Sequence, residues 1–316
     1  MSYLEFEWNG QKLKIDKMLA ETLASLVYNV QEDYDFCIVI TGDRMVRTGK
    51  SVLGLTCGAF LAYLLKKQGL NENAFNEKNV FFDSKLMLDQ TQKLAKYSVI
   101  QLDEARESLA ASKSAMNLQQ SVLDFFAECG QLNHIFILVM PDYFEMKEIM
   151  AVARSEILIN VYRDSTVVHK DFMGDGVKRP ITMFKRGFFK LYNRDSKAAM
   201  YDFFRTTRYK NYNSVKPTFP PGGFENQYPI DEKKYRQLKE EALSRFKNKH
   251  NQPKEDKIAN KFKAELLQTY KLIKELGGNN KTIADATGKS QQAVSQFLKN
   301  NDVFDKKKPT GYVKVD

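Results

Sequence analysis

The sequence is poor in the residues that build covalent or metal scaffolds. Of its 316 residues only three are cysteine, Cys37, Cys57 and Cys129, each in an apolar stretch and none spaced for metal ligation. A disulfide-dense fold is thereby excluded, and the three are read as small buried thiols. Histidine is equally scarce: His134, His169 and His250 lie far apart, so no H-x-E or HExxH zinc constellation exists. Long apolar runs are missing too. The longest, Ser51 to Leu65, has 15 residues between Lys50 and the Lys66-Lys67 pair, short of the roughly 20 that cross a bilayer as a helix. The start, MSYLEFEWNGQKLKID, alternates apolar and charged residues without a signal segment. The expectation is a cytoplasmic protein with no membrane partner.

What the chain has in excess is positive charge. Lysine and arginine number 49 against 39 acids, a formal net charge of +10, which points to a polyanionic partner, nucleic acid foremost. Its length accommodates one large domain and one or two small ones.

Hydropathy patterning predicts the order of elements. Residues 3–14 alternate on either side of Asn9-Gly10, the signature of a tight β-hairpin. Residues 17–30 carry apolar side chains at helical spacing. Short apolar runs at 36–40, 79–83, 98–102, 134–140 and 156–162 read as strands, and helices are expected at 50–68, 85–95, 115–130 and 143–153. Apolar strands alternating with helices mean right-handed crossovers and a mostly parallel sheet with helices on its faces, an α/β fold.

After Arg163 the character changes. Residues 165–194 read as an antiparallel extension of the sheet. Between Lys178 and Lys216 eleven basic residues face only Asp195 and Asp202, with nine aromatic rings interleaved; charge for phosphates and rings for bases suit a nucleic-acid-facing surface, and a packed aromatic set with a solvated basic face is the structural alternative. Residues 213–229 hold four of the eight prolines and read as a linker or extended arm. A charged helix is expected at 231–246 and a polar hinge at 247–257. The expected domains are therefore 1–212, a linking stretch 213–257, a small helical unit 258–301 and a basic tail 302–316.

The tetrapeptide TGKS occurs twice, and its two contexts differ. In CIVITGDRMVRTGKSVLGL a buried strand, a polar loop and an apolar helix surround Gly49, Lys50 and Ser51. That frame is what a phosphate-binding loop needs: helix amides for phosphate oxygens, the Lys50 ammonium for the β- and γ-phosphates and the Ser51 hydroxyl for Mg²⁺. Downstream, YSVIQLDEA ends an apolar strand in Asp103 and Glu104, the first suited to hold magnesium with its water and the second to act as general base. Both motifs stand at carboxyl ends of strands, where ligands collect on open α/β sheets.

Gly49-Lys50-Ser51 and Asp103-Glu104 resemble the Walker A and Walker B motifs of P-loop ATPases of the additional-strand, catalytic-glutamate type. The layout of residues 35–165 is similar to that of the FtsK/HerA-like DNA translocases and packaging ATPases of cells, viruses and mobile elements. The resemblance implies a P-loop sheet, ATP and Mg²⁺ as cofactors, DNA as partner, and a homo-oligomer of the kind that closes into a ring. It implies a nucleotide held by Gly42, Thr48, Gly49, Lys50, Ser51 and Val52, a metal held by Ser51 and Asp103, and catalysis by Lys50 and Glu104. Arg154, which precedes the last strand of that span, is the arginine expected to complete a neighbouring subunit's site, with Arg163 as the other candidate. Two positions depart from the pattern: Arg44 stands where the loop's first glycine belongs, and Met140-Pro141-Asp142 stands where these motors carry a polar sensor.

The second copy lies in NKTIADATGKSQQAVSQFLKN, between two helices. Ala284, Gly288 and Val294 match the small residue, turn glycine and buried aliphatic of a helix-turn-helix, which the segment resembles, with 262–276 as its supporting helix and Ser290 as the N-cap. The second helix would present Ser290, Gln291, Gln292, Ser295 and Gln296 to DNA, with Lys281, Lys289 and Lys299 on the backbone; a protein-binding helical bundle is the alternative. Three functions follow: an oligomeric ATP-driven DNA translocase or packaging motor, an ATP-gated DNA-binding regulator or replication/partition accessory factor, or an interaction protein with a decayed nucleotide site.

Overall fold

In the computed structural model, the described residues are 2–42, 48–103, 125, 129–251, 266–273, 275–287 and 290–299. The chain opens with strands β1 (Tyr3–Trp8) and β2 (Gln11–Asp16), paired antiparallel with Trp8 opposite Gln11. Asn9 and Gly10 between them both have positive φ, 50° and 74°, the twist that a two-residue hairpin turn demands and that this dipeptide tolerates. Asp16 then caps helix α1 (Lys17–Gln31), accepting from the Met18 and Leu19 amides at 3.0 and 3.4 Å.

Seven strands form the main sheet in the order β4-β5-β6-β3-β7-β8-β9. Strands β3 (Phe36–Gly42), β4 (Val80–Phe81), β5 (Val99–Asp103), β6 (Ile135–Val139) and β7 (Ile157–Lys170) are parallel. Strands β8 (Arg179–Tyr192) and β9 (Gly222–Gly223) continue the sheet antiparallel. The alternation along β3 divides the core in two. Ile38 and Ile40 join a layer that includes α1, helix α2 (Lys50–Lys67) and the opening hairpin, while Cys37 and Val39 face Phe136, Leu158, Tyr192 and Met200 on the other side. Each fully buried aliphatic chain contributes about 1.5–3 kcal/mol, and the buried polar residues along β3 and β5, Thr41, Gln101 and Asp103, lie toward the carboxyl ends of their strands. Helices α3 (Ser84–Thr91) and α4 (Arg194–Thr207) complete the layers.

The buried strands, the hairpin and the antiparallel extension lie where the sequence predicted them. Five local expectations change, one of them the polar hinge expected at 247–257, since the charged helix expected to end at 246 runs from Glu232 to Asn251. The helix expected over 85–95 ends at Thr91. Residues 143–153 form no single α-helix but a 3₁₀ turn, Tyr143–Glu145, and a wide π turn, Ile149–Arg154. The Ala151 carbonyl within it accepts from the Tyr143 hydroxyl (3.2 Å), the Ser155 hydroxyl (2.6 Å) and the buried Lys197 ammonium (2.9 Å), so side chains take the place of the next turn's amides. Strand β7 runs on past 162 through an irregularity at Tyr162/Asp164 to pair with β8 as far as Lys170. Residues 213–229, expected as a linker or arm, are docked: Gly222–Gly223 is the sheet's last strand, and the Phe224 amide donates to Gly187 O at 2.8 Å. The helix expected at 115–130 lies outside the described residues.

Two compact units result, Met1–Ala242 and Leu243–Asp316, so 213–242 belongs with the first. Helix α5 (Glu232–Asn251) begins in one and ends in the other. In the second, helical residues 266–273, α6 (Asn280–Thr287) and α7 (Gln291–Lys299) enclose Tyr270, Ile283, Ala284, Val294 and Leu298. Among the described residues no helix is long and apolar enough to cross a membrane.

Candidate functional site

The site is built where α2 starts. Thr48 and Gly49 lead into it, and Gly49 has φ +99°, a conformation that any side chain would strain. A Cβ there would also lie 2.9 Å from the Phe224 ring. The N-cap, Gly49, has no side chain with which to satisfy the first amides of this 18-residue helix, and the positive end of the helix dipole lies at the same place. The Lys50 side chain folds back across Gly42, whose Cβ, if it had one, would be 3.1 Å from Lys50 Nζ. Val52 is buried in α2. The Thr48 hydroxyl is buried and finds no hydrogen-bond partner among the described residues. Residues 43–47, with Arg44, lie outside the described residues.

From the second strand away comes Asp103, the last residue of β5 and fully buried. The Ser51 hydroxyl donates to its Oδ1 at 3.1 Å. Sequence placed these two residues 52 positions apart; the fold brings them into contact across the strand β6 that separates β3 from β5. Gln101, two residues earlier on β5, reaches Ser51 O with its amide at 3.5 Å and lies against Gly54, whose Cβ would meet Gln101 Oε1 at 2.9 Å. The small residue lets α2 press onto β5 and so fixes the spacing of Ser51 and Asp103. Glu104 lies outside the described residues.

The other oxygen of Asp103 meets two residues that sequence reasoning missed. Tyr235 donates its hydroxyl to Oδ2, and Lys239 brings its ammonium to 3.4 Å of the same atom. Burial and the Asp103 carboxylate push the Tyr235 phenol far up, so it is a donor and stays protonated. Tyr235 packs obliquely on Phe82 and Tyr228, and Lys239 passes over the Phe82 ring at 6.0 Å. The signal available in the sequence was only their spacing: residues 235 and 239 share one face of a helix.

On the neighbouring strand, Asp142 follows the exit of β6. Its carboxylate, 1% exposed, accepts from Lys210 Nζ at 2.9 Å and from the Tyr212 hydroxyl at 3.0 Å, and it caps the Tyr143–Glu145 turn. Nearby, Asn160, Tyr162, Lys190, Lys210, Asn211, Tyr212 and Asn213 line an open cavity of about 410 Å³. Arg154 is exposed and precedes β7. Since β7 runs parallel to β3, that is the end of the sheet opposite Gly42 and the start of α2. Arg163, midway along β7 at its irregularity, lies over the Phe184 ring at 4.8 Å.

In the second unit Ser290 caps α7 as expected, its hydroxyl accepting from the Ala293 amide at 3.2 Å. Lys281, Gln291, Gln292, Ser295 and Gln296 are exposed, and Ala284 and Val294 are buried. Gly288 and Lys289 lie outside the described residues; Lys299 ends α7.

The donor set suits one class of ligand. A hydroxyl and a carboxylate in contact, beside a glycine-started helix, a lysine and a buried threonine hydroxyl with no partner among the described residues, match a phosphate group with a hard divalent cation. No protein-family model matches the sequence and no curated protein matches it.

Proposed function

We propose that the chain is an ATP-hydrolysing, DNA-binding protein with a P-loop core, acting as an oligomeric DNA translocase or packaging-type motor. The observation that carries this reading is the contact of Ser51 with Asp103 across an intervening strand: the additional strand is what gives that ATPase class its name. Ser51 and Asp103 would hold Mg²⁺, Lys50 the terminal phosphates, and the amides from Gly49 onward the phosphate oxygens. Bound magnesium would supply charge neutralisation on the phosphates. The chain's own part is to orient and to exclude water: Asp103 is kept dry and aligned by Ser51, and Gln101 holds the helix at its distance. Glu104, next along the chain, is the residue to orient the attacking water. Arg154, at the far end of the sheet from its own phosphate loop, suits a second copy's site rather than its own, which is why an oligomer is part of the proposal.

DNA is assigned as partner through α6 and α7, read as a helix-turn-helix, and through the net charge of +10. A second reading, an ATP-gated DNA-binding regulator, is favoured by one observation: α5 lies on the carboxylate that a metal needs.

ATP hydrolysis with and without duplex DNA tests the proposal. Wild type is expected to turn over faster with DNA. Lys50→Ala is expected to lose nucleotide binding, and Glu104→Gln to bind nucleotide but hydrolyse it at least about 100-fold more slowly. Slow turnover indifferent to DNA selects the regulator. A wild-type protein that neither binds nor hydrolyses ATP ends both readings.

A further inference from the structure

We infer that the first half of α5 is an internal occupant of the metal position, so that docking of this helix and loading of Mg²⁺ with nucleotide exclude each other. The inference rests on reading Ser51 and Asp103 as the pair that holds the metal.

Three observations converge on it. First, both oxygens of Asp103 are engaged, Oδ1 by Ser51 and Oδ2 by Tyr235 and Lys239. A carboxylate with no exposed surface needs a compensating charge, and within this chain Lys239 supplies it. A dication on the same carboxylate would stand beside the ammonium at a distance where like charges repel strongly in a dry site. The two cations therefore compete for this carboxylate.

Second, the phosphate end is covered by the same stretch of chain. The Phe224 ring lies against Gly49, over the start of the helix whose amides would face phosphate. Third, ring and helix are held separately. Phe224 is fixed by its amide to the sheet, at Gly187 O (2.8 Å), and seven residues on Asp231 caps α5, its carboxylate accepting from Lys233 and Lys234 amides at 2.9 and 3.2 Å. The segment from Gly222 to Lys239 thus covers the site in two parts, Phe224 on the phosphate half and α5 on the metal half, and the helix can leave while the ring stays. Part of its hold is easily exchanged: Lys14 to Glu225 at 3.4 Å is half-exposed at both ends, and such a pair adds little.

The physical consequence is a competition that depends on the metal. Removing the ammonium should favour the metal-bound state, whereas affinity for metal-free nucleotide should hardly change. The experiment measures binding of a ribose-labelled fluorescent ATP analogue by full-length wild type, Lys239→Met and the control Lys233→Ala, each with Mg²⁺ and with EDTA. Methionine keeps the stem that packs over Phe82. Lys239→Met is expected to bind about tenfold more tightly with Mg²⁺ and within about twofold of wild type in EDTA; Lys233→Ala should match wild type in both. A second measurement needs no variant: amide exchange in 232–242 of wild type should accelerate when Mg²⁺ and the analogue are added. Equal Mg²⁺-dependent affinities of wild type and Lys239→Met, or unchanged exchange in 232–242 at saturation, overturn the inference and leave the phosphate loop standing. No binding by any of the three proteins overturns the phosphate-loop reading and the inference with it.

Discussion

His134 sits at the junction before β6 with no exposed surface. Its Nδ1 accepts from the Ser98 amide at 3.2 Å, which fixes the neutral tautomer protonated on Nε2. Desolvation lowers its pKa from 6.5 to about 4. The sign follows directly: as pH falls, the unfolded chain takes up this proton first, so stability is lost from about pH 6.5 and the loss levels off near pH 4. Full development of that shift corresponds to about 3 kcal/mol. Urea midpoints between pH 7.5 and 4.5 should therefore fall more steeply for wild type than for His134→Gln, which keeps a donor and an acceptor without titrating. Equal slopes would exclude His134 as a source of acid lability. Lys197 is the other desolvated base, its pKa lowered to about 8. It is still the cation that closes the carbonyl end of the π turn, bonded to Ala151 O and Val152 O, where a positive charge meets the helix dipole favourably.

At the scale of elements, what could be read from the sequence was whatever local patterning decides. Strands β3, β5 and β6 are apolar runs buried on both faces, Asn9-Gly10 specifies its own turn, and Ser290 is an N-cap that serves its own helix. The pairing of Ser51 with Asp103 was legible for the same reason, since each ends or begins an element at the carboxyl side of the sheet. The π turn was not legible, because the groups that complete it come from Tyr143, Ser155 and Lys197 rather than from its own residues. Nor was the strap over the site: Phe224 and Tyr235 read as residues of a linker or arm and of a charged helix, and only the tertiary fold brings Tyr235 to a carboxylate 132 positions away. Helix α7 offers the test proper to an element. Gln292 and Gln296 lie one turn apart on its exposed face, the arrangement that reaches base edges in a major groove. Gln292→Ala with Gln296→Ala is expected to weaken duplex binding at least about tenfold, since one good base contact is worth about 1–3 kcal/mol. Basal ATP hydrolysis should be unchanged. Duplex affinity equal to wild type would make this small unit a protein-binding bundle.

For the whole molecule, the informative fact is that α5 belongs to both units. Its first turns carry Tyr235 and Lys239 to Asp103, and the same helix continues beyond Ala242 into the unit that holds α6 and α7. If metal-nucleotide and docked α5 compete, a ligand of the second unit that binds better to one state of α5 than to the other is coupled to nucleotide through that helix. Such coupling is reciprocal: the factor by which Mg²⁺ and nucleotide change DNA affinity must equal the factor by which DNA changes nucleotide affinity. Both can be measured on full-length protein with Glu104→Gln to suppress turnover, using a labelled duplex in one titration and a labelled nucleotide in the other, at one fixed salt concentration because phosphate contacts make affinity steeply salt-dependent. The expected factor is roughly 5- to 150-fold, the usual span of such couplings. Adding Lys239→Met should lower it, because a helix held to Asp103 by Tyr235 alone has less docking energy to share. A factor of one in the Glu104→Gln protein would mean that the two units bind their ligands independently and that α5 is only a covalent tether.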